Sequence, residues 1–327
     1  MRLVSVFGLG VMLFCGCLGA AELETGPVAT STPNPAVDPS DDQLRTAPRA
    51  VAPETGDAPV VTYPSILAAQ WDLDQAHEQD PFVLRPYRAN YVLPFTYNAR
   101  PNEAPIAAVD PDVELDRFEV KFQVSLKAKV WDDAFGDNGD VWVAYTQVSY
   151  WQAYDFDDSS PFRESNYEPE LLLTFRTDYQ FMGFRARLLG LSLNHQSNGR
   201  SEPLSRSWNR IYALVGIERN NFGLIFKPWY RLAVDVEADD NPDIEDYLGN
   251  GEIWAYYRWQ DHVFGLMVRN NLESEDNRGA VQLDWAFPIR GRLRGYVQYF
   301  NGYGESLLDY DESVHRIGVG AAFVDWL

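Results

Sequence analysis

The sequence predicts an all-β fold, a transmembrane antiparallel β-barrel of about 12 strands, and three observations carry that reading. From Phe118 to Val130 every second residue is apolar (Phe118, Val120, Phe122, Val124, Leu126, Ala128, Val130), with Glu119, Lys121, Gln123, Ser125, Lys127 and Lys129 between them. Such a strand wants hydrocarbon on one side and water or a polar lumen on the other. Aromatic residues make up 14% of the chain, with ten Trp and eighteen Tyr, a content suited to two belts at membrane interfaces. Beyond the leader no run of 18 apolar residues occurs, which excludes a helical membrane protein and leaves a barrel open.

Taken in order, residues 1–21 read as a secretory signal peptide. Arg2 is followed by the apolar run Leu3 to Leu18 and by the small residues Gly19, Ala20 and Ala21. The only two cysteines, Cys15 and Cys17, fall inside it, so cleavage after Ala21 leaves a chain with no disulfide. Phe14 stands three residues before Cys17, where lipoprotein signals usually carry Leu, and this argues against lipidation. Residues 22–62 hold seven prolines among Ala, Thr and Asp. They read as a flexible, disordered linker, because that composition buries too little apolar surface to fold. Residues 63–89 read as an N-terminal arm packing on or into the next domain.

The barrel domain spans residues 90–327. Strand patterns are predicted over 90–97, 116–130, 140–150, 170–178, 181–197, 208–219, 222–236, 251–260, 262–272, 279–287, 291–300 and 314–325. Turns are marked by Gly136-Asp137-Asn138-Gly139, Asn220-Asn221, Asp239-Asp240-Asn241-Pro242-Asp243 and Asp276-Asn277-Arg278-Gly279. A formal net charge of −21 fits solvated loops. It excludes nucleic acid as a partner, since binding it needs clustered Lys and Arg.

The chemistry concentrates in Asn194-His195-Gln196-Ser197-Asn198-Gly199-Arg200 and Pro203-Leu204-Ser205-Arg206-Ser207-Trp208-Asn209. Residues two apart in a strand share a face, so His195 and Ser197 point the way Leu189, Leu191 and Leu193 point. Asn209 shares the parity of Ile211, Ala213, Val215 and Ile217. The three therefore converge on the outer surface of two adjacent strands, with serine as nucleophile, histidine as base and a third group holding the imidazole tautomer. A neutral amide suits that third position, because an ionised carboxylate facing lipid is costly. Gln147, in register with Val141, Val143 and Tyr145, also falls on the lipid side. An amide there needs a partner, from another subunit or within the site. The acidic run Asp155-Phe156-Asp157-Asp158 reads as a solvated loop and not a cation site, lacking the glycine and terminal glutamate of an EF-hand.

Together with Tyr145-Thr146-Gln147, Ser159-Ser160-Pro161-Phe162-Arg163-Glu164-Ser165-Asn166-Tyr167-Glu168-Pro169, Lys227-Pro228-Trp229-Tyr230 and Gly302-Tyr303-Gly304-Glu305-Ser306-Leu307, these motifs resemble the outer membrane phospholipase A family of Gram-negative bacteria. The likeness runs from about residue 70 to the end. It implies a twelve-stranded outer-membrane barrel that hydrolyses acyl esters of phospholipids and lysophospholipids reaching the outer leaflet, requires Ca2+ and acts as a homodimer. Carried over by position, Ser197 matches the nucleophile, His195 the base and Asn209 the orienting residue, while the Gly199 N–H matches an oxyanion donor. Ser205 and the Arg200 carbonyl match calcium ligands, with Ser159 contributed from the partner subunit, and Gln147 matches a dimer-interface residue. Glu202 stands where the family usually has Asp, a calcium-binding position lengthened by one methylene.

Two other readings compete. A catalytically inactive barrel serving as a pore or structural protein would leave His195 and Ser197 incidental, but charged inward residues such as Glu119, Lys121 and Lys127 crowd the lumen it needs. A soluble secreted esterase fails on the alternation and on the missing glycine-flanked nucleophile elbow.

Overall fold

In the computed structural model, residues 65–74, 79–156, 161–233 and 239–323 are described. The sequence expectations for the leader, the linker and Ser159 lie outside these residues. Twelve long strands form the wall: β2 (Asn90–Asn98), β3 (Phe118–Trp131), β4 (Asp140–Trp151), β5 (Phe162–Phe181), β6 (Phe184–Ser197), β7 (Ser207–Arg219), β8 (Phe222–Leu232), β9 (Gly251–Trp259), β10 (His262–Asn270), β11 (Gly279–Arg290), β12 (Leu293–Tyr303) and β13 (Ser313–Phe323). Each pairs antiparallel with its sequence neighbours, and β13 pairs with β2, which closes the sheet into a barrel. Closure leaves no unpaired strand edge in hydrocarbon. A short β1 (Arg85–Pro86) adds to β3.

Alternation decides which side each residue takes. Leu189, Leu191 and Leu193 on β6 are exposed, whereas Leu188, Ser192 and Asn194 are buried. On β3, Glu119, Lys121, Ser125, Lys127 and Lys129 are all buried inside. Trp131, Phe181 and Trp259 are exposed near the short-turn end, and Phe118, Phe162 and Tyr230 near the long-loop end, an apolar band bounded by two aromatic girdles.

The largest departure from the expected strand bounds is in β5. β5 begins at Phe162 and not near residue 170. The stretch Ser165 to Pro169 looks like loop because it is polar and holds a proline, yet Glu164, Asn166 and Glu168 are polar because they face inward, where Glu168 meets Arg88 at 2.7 Å and Arg210 at 3.2 Å.

The lumen is filled from both ends. Helix α1 (Ile66–Trp71), capped by Ser65 accepting from the Ala68 N–H, buries Leu67 and Trp71 against the inner wall. Gly216 makes room for it: a Cβ there would meet Leu67 Cδ1 at 3.0 Å and Leu188 Cβ at 2.9 Å. Trp71 meets Trp142 and Tyr87 edge to face. At the opposite mouth the β12–β13 loop folds inward. Glu305 pairs there with Lys121 and Arg316, each at 2.8 Å, and Asp309 with Arg163 at 2.7 Å. Pairing of this kind offsets the cost of burying charge. Between the two plugs a cavity of about 210 Å³ remains, lined by residues such as Arg88, Glu168, Arg210, Lys227 and Glu252.

Candidate active site

The site lies on the outer face of β6 and β7, at the end of the barrel carrying the longer loops. In outer-membrane barrels that end is extracellular. The β6–β7 ladder places His195 opposite Asn209 and Ser197 opposite Ser207. His195 is exposed on the same face as Leu191 and Leu193, and its Nδ1 lies 2.8 Å from Asn209 Oδ1. Because the amide oxygen only accepts, Nδ1 carries the proton and Nε2 is left as the basic nitrogen. Ser197 follows on the same face, one step nearer the rim.

The loop after Ser197 is held by a residue that sequence reasoning did not single out. Asn198 is buried. Its Oδ1 accepts from the N–H groups of Arg200 and Arg206, and its Nδ2 donates to the Leu204 carbonyl. Gly199 sits at φ +67°, and a Cβ on it would meet the Tyr167 ring at 3.2 Å. Both facts call for glycine. Arg200 turns its side chain to β5, donating to the carbonyls of Phe162 and Arg163 and approaching Glu164 at 3.3 Å, which fixes the backbone whose carbonyl is the expected ligand.

Oxygen donors gather beside this loop. Ser205 Oγ donates to Asp240 Oδ2 at 2.6 Å. Asp240 also neighbours Glu202, and the hydrogen bond between the two carboxyls holds the exposed Glu202 above its ordinary pKa. Asp240 was visible in the sequence only as part of a turn. It reaches the site because Asn241 Oδ1 accepts from the Ser207 N–H at 3.0 Å and Arg231 pairs with Asp239 at 2.6 Å. Another carboxylate group, Asp132, Asp133 and Asp140, lies at the short-turn end, where Lys129 and Arg176 pair with it.

Gln147 occupies the same cross-strand row as Ser197, through Gln147↔Tyr167 and Tyr167↔Ser197. Its amide is satisfied within this chain: Oε1 accepts from Tyr145 Oη at 3.2 Å and Nε2 donates to Ser149 Oγ at 3.1 Å.

The family model described as phospholipase A1 matches residues 67–323. The chain belongs to this family. It is 40% identical over 279 residues to the phospholipase A1 of Escherichia coli strain K12, covering 85% of this chain and 93% of that one. A crystal structure of a Salmonella typhi outer membrane phospholipase dimer with bound calcium is 38% identical, with TM-score 0.73, covering 80% of this chain and 98% of that chain. A structure of outer membrane phospholipase A from Escherichia coli, an active-site mutant with an asparagine changed to alanine, is 38% identical with TM-score 0.72 over the same shares. Family membership and the closed twelve-stranded barrel make the chain an outer-membrane phospholipase.

Proposed function

We propose that this phospholipase hydrolyses acyl ester bonds of phospholipids and lysophospholipids in the outer leaflet, with Ser197 as nucleophile, His195 as general base and Asn209 as the residue that orients the imidazole. The 2.8 Å contact between His195 Nδ1 and Asn209 Oδ1 on a lipid-facing surface carries this reading. An imidazole whose Nδ1–H is engaged by a neutral amide keeps Nε2 free to accept the serine proton.

In the acylation step Ser197 Oγ attacks the ester carbonyl carbon and its proton passes to His195 Nε2. The tetrahedral intermediate then collapses: the ester C–O bond breaks, His195 gives that proton to the departing alcohol, and the acyl group stays on Ser197. Water, deprotonated by His195, then attacks the acyl-enzyme, and the proton passes from His195 to Ser197 Oγ as the acyl–Ser197 bond breaks and the fatty acid leaves. The Gly199 N–H, displayed by its left-handed backbone and by the Asn198 bonds that hold the loop, is the donor toward the developing oxyanion.

The oxygen donors suit a hard divalent cation. The Arg200 carbonyl, the Ser205 hydroxyl and the carboxylates of Glu202 and Asp240 would hold Ca2+ on this chain, with Ser159 of the partner subunit completing the set in a homodimer. Two carboxyls brought together at the surface, one raised by the other, are what such a cation relieves. Bound there, it would supply positive charge that stabilises the developing oxyanion. Gln147 lies in the Ser197 row, so a partner docked over β3 and β4 would sit beside the site.

An alkyl sulfonyl fluoride tests the nucleophile. With calcium present, peptide mass spectrometry should find the adduct on Ser197. Labelling of the Ser197→Ala protein to the same extent would refute the assignment.

A further inference from the structure

On the outer face of β9–β12, away from the active site, we propose a binding site for one anionic phospholipid of the periplasmic leaflet. Its acyl chain lies in a groove of the wall and its headgroup at a basic turn.

The groove measures about 410 Å³ and is lined on the outer face by Ala255, Leu266, Leu283 and Val297, with Tyr257 and Trp285 beside them. That volume lies within the range of small-molecule sites, about 300–1,000 Å³. It exists because residues with short side chains, Ala255 and Val297, stand among Tyr257, Phe264, Trp285 and Tyr299 on the same rows of the sheet. An apolar concavity facing hydrocarbon takes an acyl chain.

The headgroup end follows from the strands that line the groove. Toward the short turns the next outward positions are Trp259 and His262, cross-strand partners whose rings stack at 5.8 Å. Trp285 Nε1 donates to His262 Nδ1 at 3.2 Å, so the imidazole carries its proton on Nε2 and is a donor there. Beyond them the β11–β12 turn runs Arg290-Gly291-Arg292-Leu293-Arg294, three cations in five residues of a chain with 27 basic and 48 acidic residues. Arg290 and Arg292 are exposed. Arg294 donates to the Asp261 carbonyl at 3.0 Å, which joins this turn to the β9–β10 turn below the groove. Five residues separate Trp285 from Arg290, roughly 16 Å at about 3.3 Å per residue, a span a phospholipid bridges from mid-chain to phosphate. Basic side chains at that depth favour a net negative headgroup over a zwitterionic one.

Native mass spectrometry of the full-length protein in detergent tests the site, with ether-linked phosphatidylglycerol and ether-linked phosphatidylcholine supplied at equal concentration so that neither is hydrolysed. The wild type should retain the anionic phosphatidylglycerol analogue preferentially. The R290Q/R292Q protein should lose that preference by roughly fivefold for each arginine removed. Leu283→Trp, which fills the groove and leaves the turn intact, should lower retention of both lipids. Heat-modifiable mobility on gels identifies folded variants, and Arg292→Gln alone serves if the double variant does not fold. Equal retention of the two lipids by the wild type, or retention unaltered by Leu283→Trp, would overturn the proposal.

Discussion

His195 and Asn209 face each other across the β6–β7 ladder, imidazole Nδ1 to amide Oδ1 at 2.8 Å, between the outward rows Leu193–Ile211 and Ser197–Ser207. This pair sets the tautomer that the proposed chemistry needs. Asn209→Ala should lower kcat roughly fivefold, the scale of one hydrogen bond of about 1 kcal/mol, with KM little changed. Steady-state hydrolysis of a monoacyl substrate measures both, and an unaltered kcat would remove Asn209 from the site.

Gly199→Ala should impair activity and loosen the 198–206 loop. The left-handed backbone alone costs an alanine roughly 1 kcal/mol, and the Tyr167 ring stands where the methyl would go. Adding Tyr167→Ala should restore only part of the activity, because it relieves the contact and not the φ. Full recovery in the double variant would mean that strain at Gly199 is irrelevant.

Asp240→Asn should raise the calcium concentration needed for half-maximal hydrolysis, and Glu202→Gln should act in the same direction. Each removes one carboxylate from the cluster beside Ser205. Calcium titrations of activity check this. Identical curves for wild type and both variants would place the ion elsewhere.

In the proposed homodimer, Gln147→Ala should weaken association only modestly, by about 0.6 kcal/mol, a typical value for a hydrogen bond between membrane segments. Its amide oxygen and nitrogen each have one partner in their own chain, which leaves one lone pair and one N–H to meet a partner subunit. Sedimentation equilibrium in detergent measures it, and an unchanged monomer–dimer constant would deny Gln147 an interface role.

The mouth of the barrel should show a pH signature. Burial pushes the Glu305 carboxyl up, but Arg316 and Lys121 beside it bring it below its ordinary value. A carboxyl depressed in the folded state contributes stability that is complete above the unfolded value, about 4.3, and is lost as pH falls through the folded one. Heat resistance should therefore drop on acidification below about pH 4. Glu305→Gln should flatten that part of the profile, and a profile identical to wild type would show that the ion pairs of this loop do not contribute.

Much of this was legible in the residues. Alternation alone put Leu189, Leu191, Leu193 and His195 on one face, because a barrel wall with lipid outside and charge inside forces a period of two on every strand. What it could not reveal depends on contacts between segments far apart. The strand through Ser165–Pro169 read as loop because its polarity is answered by Arg88 and Arg210 across the lumen. Asn198 looked like one more polar residue in a turn, although its side chain organises the loop. Asp240 needed the Asn241–Ser207 bond to reach Ser205.

The most direct test is phospholipid hydrolysis by the refolded protein in detergent, with calcium and with EDTA, beside Ser197→Ala. Fatty-acid release should require calcium and be abolished in a Ser197→Ala protein that still runs as a heat-resistant barrel. Release unaffected by that substitution, or no release under any condition from a folded wild-type dimer, would contradict the proposed mechanism.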